Sequence, residues 1–350
     1  MIDFQSKLSS ITKTLLAESL DYGVLLACIQ EYKELLTALS PIDFNSQSAR
    51  DNKYLASGLA IGPEWAARCV DDFMRTRAFV RGICQAVALK HQSGKPVHIL
   101  YAGTGPFATL VLPLLSRYQP SEIQLTLLEI NPQSFESVQQ VFKTLQATDY
   151  VNDFLMGDAS TIQLKDAHQF DVVIAECLQF ALDREPQVVI TANLMQQVPA
   201  EALLIPQEIA LDLCLVDHGG ETKAVTESET GLAIKPKRSC KRVFTLNAQE
   251  ARGYAFKSDG TIHFPIRDCT FSSEAQEGYT MISIATYIKV FGEECIHPNE
   301  SGLTMPFLYG PFKASAQPLN MSTQYKTGAN PGLEIKIIKD REQVPVLNNK

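Results

Sequence analysis

The stretch His98-Ile-Leu-Tyr-Ala-Gly103-Thr-Gly105-Pro-Phe107 says more about the fold than any other part of this chain. An apolar run of strand length leads into a Gly-x-Gly turn, and the pattern after it predicts a helix over residues 107–117. Glycine at such a turn lets the backbone approach a ligand closely at the carboxyl end of the strand. The amide groups of the following helix would then face that ligand. A tight strand-to-helix turn with no ligand is the simpler interpretation of one Gly-x-Gly, and it stays open.

Short apolar runs and helical periodicity alternate after this stretch. Strands are predicted over residues 98–102, 125–130 and 171–176, because each run is short and rich in Val, Ile and Leu. A helix is predicted over residues 132–145. Strands that alternate with helices predict a doubly wound parallel sheet, here a Rossmann-like sheet over roughly 91–206.

The flanking regions differ from this α/β pattern. Apolar residues recur at helical spacing over 11–20 and 24–39, and a further helix is predicted from Pro63 to Val87. After Gln207 no helix is predicted, and strands are expected over 208–216, 242–246, 261–266, 280–290 and 333–338. The expected fold class is therefore α/β, with a helical N-terminal extension (1–50), a Rossmann-like domain with its leading helix (51–206) and a β-rich, barrel-like module (207–350).

Composition excludes several classes of protein. The chain has 350 residues, is 45% apolar and carries a net charge of −8, which argues against a nucleic-acid binder because such proteins usually show a basic face. No run of eighteen apolar residues predicts a membrane span, and the start MIDFQSKLSS has no secretory pattern, so a cytoplasmic protein is expected. The eight cysteines show no spacing for a metal. Cys28, Cys177 and Cys214 are interpreted as small buried hydrophobes in a reducing compartment.

Acidic residues follow the next two strand-like segments. Glu129 ends the second strand, where it is placed to accept both hydroxyls of a ribose. Asp158 and Ala159 follow the third segment, where the aspartate can take an adenine amino group. A dinucleotide-binding dehydrogenase tolerates Ala108 in the third glycine position, but Pro106 removes an amide that a pyrophosphate would use. The loop thus favours S-adenosylmethionine over a dinucleotide.

Glu176 and Glu185 lie nine residues apart and flank an apolar loop after the fourth predicted strand. Ligands of α/β proteins bind at these carboxyl ends. Glu185 alone has a simpler interpretation, as a cap for the helix that follows. A structural role alone is a weaker explanation for Glu176, because a carboxylate at the end of a buried strand is costly unless it is paired or serves a function.

This loop resembles the double-glutamate loop of the protein arginine N-methyltransferases. The resemblance extends to Asp72-Phe-Met-Arg75-Thr76, similar to an Asp-x-x-Arg-Thr helix whose arginine meets the cofactor carboxylate, and to Leu203-Leu-Ile-Pro206, similar to the crossing from sheet to barrel. It covers roughly residues 50–340 and implies S-adenosylmethionine as the cofactor, with Glu176 and Glu185 as catalytic residues. It also implies the cofactor-binding residues Arg75, Gly103, Gly105, Glu129, Asp158 and Ala159, and a homodimer.

The chain departs from that family on the substrate side. It has no His-Trp dipeptide, and the nearest segment, Gly302-Leu-Thr304-Met305, keeps neither ring. His297 is a candidate substitute, and Tyr54 is a candidate remnant of the family's Tyr-Phe-x-x-Tyr element. The family's dimerisation arm has no counterpart, so residues 1–45 are expected either to supply the dimer contact or to cap the sheet.

Two carboxylates suit a guanidinium because they hold the cation through charge-assisted hydrogen bonds and orient one nitrogen toward the methyl donor. The altered substrate side favours free L-arginine or a small guanidino compound over a protein tail. A protein arginine methyltransferase, a small-molecule N- or O-methyltransferase of another acceptor, and a non-catalytic binding or scaffold protein on the same fold stay open. A dehydrogenase is the remaining alternative.

Overall fold

The computed structural model describes residues 4–91, 94–217 and 238–338. The N-terminal part is helical, as the sequence predicts, and Asp21 caps the second helix by accepting a hydrogen bond from the Val24 amide. Its elements are α1 (Phe4–Leu15), α2 (Tyr22–Leu39), α3 (Gln47–Arg50), the hairpin strands β1 (Lys53–Leu55) and β2 (Gly58–Ala60), α4 (Pro63–Arg68) and α5 (Phe73–Lys90).

The single helix predicted from Pro63 to Val87 is two helices. A 3-10 turn, Cys69–Asp71, separates α4 from α5. Asp72 has φ −76° and ψ 86°, which is not helical, and its side chain accepts a hydrogen bond from the Arg75 amide as the N-cap of α5. This break in the helix places Arg75 in the first turn of α5.

The helices α1 and α2 pack against the central part of the chain. Ile11 and Leu36 are buried in the main hydrophobic core, and the Tyr32 hydroxyl donates to the Thr109 carbonyl at 2.5 Å. The apolar stripe of this segment therefore caps the parallel sheet layer. Tyr22 and Leu26 are exposed, and the dimer contact stays a prediction.

A parallel sheet of five strands lies at the centre of the described chain, in the order β5-β4-β3-β6-β7. The predicted strands at 98–102, 125–130 and 171–176 and the helix at 132–145 are confirmed. Both faces of the sheet are covered, so the central strands are almost entirely buried. The elements are β3 (Val97–Ala102), β4 (Ile123–Glu129), α6 (Pro132–Thr144), β5 (Val151–Met156), β6 (Val172–Ala175), α7 (Gln187–Met195) and β7 (Leu203–Ile205).

The helix predicted over 107–117 is wrong. The segment consists of turns and one 3-10 helix, Leu112–Ser116. Ala108, near its start, has a φ of 51°, and Gly103 and Gly105 just before it have φ values of 78° and 58°, which a right-handed helix does not allow. The amide groups of a regular helix therefore do not face the glycine loop.

In the C-terminal part that the structure describes, the strands form two antiparallel sheets. One has the order β12-β11-β8-β9, with β13 also paired to β11, and the other has the order β10-β14-β15. Phe244 and Tyr325 stack between them with ring centroids 4.5 Å apart. The elements are β8 (Glu208–Val216), β9 (Arg238–Asn247), α8 (Ala248–Gly253), β10 (Arg267–Phe271), β11 (Met281–Phe291), β12 (Glu294–Ile296), β13 (Phe307–Pro311), β14 (Leu319–Lys326) and β15 (Gly332–Ile338).

Most of the expectations for this part are confirmed, with three corrections. Residues 261–266 contribute only isolated bridges through Ile262 and His263. The short helix α8 interrupts the strands because Asn247 caps it. Cys214 is not a free thiol, since it forms a disulfide with Cys240, its direct cross-strand partner on β9, at a Cα–Cα distance of 4.1 Å.

The parallel sheet passes into the C-terminal part at Leu203–Ile205, followed by a cis peptide bond at Pro206. One hydrophobic core continues from α1 through the parallel sheet to β15. In the described residues, none of the helices combines the length and the apolar character that a bilayer span requires.

Gly103 links this fold to the site, and its replacement tests the geometry of the loop. A Cβ at Gly103 (φ +78°) would lie 2.3 Å from the Cys177 sulfur, whereas a Cβ at Gly260 (φ +79°) would meet open space. Both alanine variants therefore carry the same backbone strain, and only Gly103→Ala adds a steric clash. We expect Gly103→Ala to be about 1–3 kcal/mol less stable than Gly260→Ala in chemical denaturation. Equal losses in the two variants would contradict this loop geometry.

Candidate active site

All eight site residues predicted from the sequence line one cavity of about 320 Å³. The cavity lies at the carboxyl ends of β3, β4 and β6, where open α/β sheets bind their ligands. The hairpin β1–β2, the helix α4 and the segment around Leu303 form its other walls. The eight residues are Arg75, Gly103, Gly105, Glu129, Asp158, Ala159, Glu176 and Glu185.

A bidentate ion pair joins α5 to the end of β6. The Arg75 Nε donates to Glu176 Oε1 at 2.9 Å, and Nη2 donates to Oε2. Arg75 Nη1 donates to the Cys69 carbonyl at 2.8 Å. The two side chains are only 8% and 7% exposed. Burial lowers the pKa of Arg75, but the Glu176 carboxylate and the nearby Cys69 and Tyr101 side chains together raise it by more, so the guanidinium stays charged.

This pairing uses part of the hydrogen-bonding capacity of both residues, and their expected roles stay predictions. The resemblance directs Arg75 to the cofactor and Glu176 to the acceptor, yet in the structure they bind each other. Arginine has N–H donors on Nε and on both Nη atoms, so Nη1 and Nη2 each keep one further N–H for a ligand. Burial raises the pKa of Glu176 and the Arg75 guanidinium opposes this effect. Each oxygen of Glu176 keeps one acceptor position.

Glu185 is the unpaired carboxyl group of the cavity. It ends the loop that begins at Glu176, and no described residue forms a hydrogen bond or an ion pair with its side chain. The helix α7 has Pro186 as its N-cap and no side-chain capping bond, so the interpretation of Glu185 as a helix cap is not realised. Burial raises the pKa of Glu185 to about 8, with a further contribution from the charge of Glu176, while Arg75 opposes it.

Glu129 holds the glycine loop in place. Its Oε1 accepts hydrogen bonds from the amides of Ile130 and Asn131, both at 2.8 Å. Its Oε2 accepts from the Gly105 amide at 2.9 Å. Burial raises the pKa of Glu129, and these amide bonds oppose the shift. Oε2 also lies 3.4 Å from the Thr104 hydroxyl. Both oxygens therefore already have two donors, a ribose hydroxyl would have to replace the long Thr104 contact, and binding of both ribose hydroxyls stays a prediction.

Asp158 and Ala159 line the cavity after β5. The Ser160 amide and hydroxyl donate to Asp158 Oδ1 at 2.8 and 2.6 Å, and no described residue bonds to Oδ2. The Ser160 hydroxyl also shares a 3.0 Å hydrogen bond with Ser57 at the tip of the β1–β2 hairpin. Asp158 thus presents a free carboxylate oxygen beside the hairpin.

The hairpin is a wall of the site that the sequence did not reveal. Leu55, Leu59 and Ile61 line the cavity, and the Leu59 amide donates to the Arg184 carbonyl at 2.8 Å. The Tyr54 side chain is 83% exposed and does not reach the site, so its interpretation as a remnant of the family's aromatic element is wrong. In the sequence, the alternating apolar residues around Ser57-Gly58 were the feature that could have predicted this hairpin.

Two further contributions come from α4 and from the segment after β12. Trp65 lines the cavity, and the Arg68 guanidinium lies 5.1 Å above its ring. Gly302 and Leu303 also line the cavity, because Asp72 Oδ2 accepts a 2.9 Å hydrogen bond from the Gly302 amide. An apolar leucine thus occupies this wall, and His297 is not among the lining residues.

The raised pKa of Glu185 predicts a pH-dependent stability. The pKa of Glu185 is about 8 in the folded protein, whereas its ordinary value is 4.5. Between these two pH values the unfolded chain loses the proton and the folded protein keeps it, so the free energy of unfolding falls as the pH rises. Between pH 6 and pH 9 the wild type should lose about 2 kcal/mol relative to Glu185→Gln, which cannot ionise. Denaturation at both pH values measures this difference, and Glu277→Gln on the exposed surface controls for the loss of a carboxylate. A difference that does not change with pH would contradict the raised pKa of Glu185.

No family model matches the sequence, and no curated protein matches it. In contrast, several solved structures match the structure of this chain. The Trypanosoma brucei PRMT1 enzyme–prozyme heterotetrameric complex with AdoHcy matches at a TM-score of 0.50 and 11% identity, over 78% of this chain and 92% of that chain. Arabidopsis thaliana protein arginine methyltransferase 10 matches at 0.50 and 11%, over 77% and 96%. PRMT6 matches at 0.51 and 9%, over 75% and 95%. The chain therefore has the fold of these protein arginine methyltransferases, a Rossmann-like parallel sheet followed by an antiparallel β-rich part.

Proposed function

We propose that this chain is an S-adenosylmethionine-dependent N-methyltransferase whose acceptor is a guanidino nitrogen. The observation that carries the proposal is the unpaired Glu185 carboxyl group, held in the same cavity as the Arg75–Glu176 pair and the glycine loop. The shared fold supports it, and the Trypanosoma brucei structure contains AdoHcy, the product that such a cofactor leaves.

The residues present fit this cofactor. Arg75 keeps one N–H on each Nη atom for the cofactor carboxylate, and the backbone at Gly103 and Gly105 allows close approach. Glu129 Oε2 would accept from the ribose, and Asp158 Oδ2 from the adenine amino group, with Ala159 beside it. When bound, S-adenosylmethionine supplies a methyl group on a positively charged sulfur.

Glu185 would bind the acceptor and take its proton. A guanidinium is cationic at any physiological pH, so its binding favours the ionised form of Glu185 and displaces the proton that burial retains. The second glutamate, Glu176, contributes its remaining acceptor positions. As the acceptor nitrogen forms its bond to the methyl carbon it must lose one N–H proton, and the Glu185 carboxylate is placed to receive it. Positioning by the two carboxylates then supplies most of the rate.

The walls of the cavity favour a small acceptor. Leu303 stands in the segment where the family has aromatic residues, and the β1–β2 hairpin covers the side near Arg184. We infer that free L-arginine or another small guanidino compound fits better than a protein tail. In this proposal residues 51–206 hold the cofactor, 207–350 close the acceptor side, and the exposed apolar face of α2 around Leu26 forms the contact of a homodimer.

A methyltransferase of a simple amine is the second candidate. Both oxygens of Glu176 already accept from Arg75, so Glu185 is the one carboxyl group, among the described residues that line the cavity, that accepts no hydrogen bond. One carboxylate is enough to hold an ammonium group, whereas a guanidinium gains most from two.

The proposal predicts a specific pattern in a transfer assay with labelled S-adenosylmethionine. The acceptors are free L-arginine, an arginine-rich peptide, L-lysine and a simple amine. We expect transfer to free L-arginine, with kcat/KM about 100-fold lower in Glu185→Gln because a desolvated cation loses its partner. The cofactor Kd of this variant should stay unchanged. Glu176→Gln should also weaken binding of the cofactor, because it releases Arg75 from its ion pair.

Other outcomes distinguish the rivals. Transfer to the amine but to no guanidine would contradict the guanidino acceptor and leave the second candidate. Absence of S-adenosylmethionine binding would favour a scaffold protein, and a rise in Tm with NAD would favour a dehydrogenase.

A further inference from the structure

The loop from Glu176 to Glu185 has a strained backbone. Ala181 (φ 59°, ψ 12°), Leu182 (φ 52°) and Arg184 (φ 63°) are in the left-handed region, although none of them is glycine. Such conformations are costly for residues with a side chain and persist only where surrounding contacts impose them. The position of Glu185 therefore depends on whatever holds this loop.

Among the described residues, four hydrogen bonds from outside the loop hold its strained part, residues 181–184. Two come from backbone groups: Arg184 donates to the Pro331 carbonyl at 3.0 Å and accepts from Leu59 at 2.8 Å. The other two come from side chains of the β-rich part. The Ala181 amide donates to Thr286 Oγ1 at 2.8 Å, and the Tyr325 hydroxyl donates to the Leu182 carbonyl at 2.7 Å. Thus the two side-chain bonds act on the two adjacent strained residues.

Thr286 and Tyr325 are themselves firmly placed. Thr286 is buried on β11, and Tyr325 is buried on β14. The Tyr325 ring stacks on Phe244 at 4.5 Å and meets Phe264 edge-on at 5.6 Å. Neither of them belongs to the described residues that line the cavity, so neither touches a ligand there. Any effect they have on the reaction must pass through the loop.

We propose that Thr286 and Tyr325 are positioning residues that hold the strained loop so that Glu185 faces the acceptor unpaired. This inference rests on the proposed function for the identity of the reaction, but not for the geometry of the loop. It assigns the β-rich part a second task besides closing the cavity, because two of its strands determine where a carboxyl group of the parallel-sheet part lies.

The groups that face Glu185 make its titration a measure of this position. They are the Glu176 carboxylate at the end of β6, the Arg75 guanidinium on α5, and the Cys69 and Cys177 thiols. Asp183 and Arg184, which precede Glu185 in the chain, pair with each other. A relaxed loop would bring Glu185 closer to water and farther from Glu176. The pKa of Glu185 would then fall from about 8 toward its ordinary value.

The test compares Tyr325→Phe with a matched control, Tyr254→Phe. Tyr254 belongs to the same aromatic cluster, with its ring 4.9 Å from Phe264, and its hydroxyl donates to the Thr245 carbonyl at 3.2 Å instead of to the loop. We expect Tyr325→Phe to lower kcat for the acceptor about 10- to 100-fold with the cofactor Kd unchanged. Tyr254→Phe should leave kcat unchanged. Equal effects of the two variants would overturn the proposal.

Thr286 provides an independent pair of variants. Thr286→Val removes the oxygen that accepts from Ala181 and should lower kcat, whereas Thr286→Ser keeps that oxygen and should restore it. If kcat is as low in Thr286→Ser as in Thr286→Val, the shape of the side chain and not its hydrogen bond to Ala181 determines kcat. That result would contradict the positioning role.

A stability cycle tests the positioning role without any activity. The Tm is measured at pH 6 and pH 9 for the wild type and Tyr325→Phe, each with and without Glu185→Gln. The alkaline loss of Tm caused by Glu185 should shrink by about half or more in the Tyr325→Phe background. An undiminished loss would overturn the proposal even if no acceptor is found, whereas a diminished loss without any transfer would contradict only the proposed function.

Discussion

The site depends on the buried ion pair between Arg75 and Glu176. Asp72 ends the 3-10 turn and caps α5, which brings Arg75 into reach of the carboxylate that ends β6. Two desolvated charges of opposite sign are tolerated here because the guanidinium bonds both carboxylate oxygens, whereas removing either partner costs about 3–5 kcal/mol. The pair thus joins the leading helix to the parallel sheet at the floor of the cavity.

The charge balance of the cavity follows from this pair. Since Arg75 and Glu176 neutralise each other, Glu185, whose carboxyl group has no partner among the described residues, is the carboxyl group beside this pair that is open to a cation. The remaining N–H groups of Arg75 offer a place for a carboxylate at the other end. One cavity can therefore hold an anionic and a cationic group side by side. Binding of a cofactor that has a carboxylate, next to an acceptor that has a guanidino group, requires this. The strained loop that carries Glu185 is tied to both sheets of the β-rich part, through Thr286 and Tyr325.

Much of the fold, and the residues that line the cavity, could be predicted from the sequence. The strands β3, β4 and β6 are buried on both faces, so their apolar runs are unmistakable, and residues at their carboxyl ends had to converge on one edge. The bonding within the site could not be predicted. Arg75 and Glu176 are 101 residues apart, and no local pattern shows that they pair. The left-handed Ala108 that replaces the expected helix, and the strand register that joins Cys214 to Cys240, depend on tertiary packing rather than on residue type.

The most direct test of this account is a calorimetric comparison of S-adenosylmethionine with its decarboxylated analogue, using the wild-type chain. The account predicts that both bind and that the analogue binds about 10- to 100-fold more weakly, because it loses charge-assisted hydrogen bonds to the free N–H groups of Arg75. Equal affinity for the two compounds, or no binding of either, would contradict the claim that the Arg75–Glu176 pair forms the floor of a cofactor site.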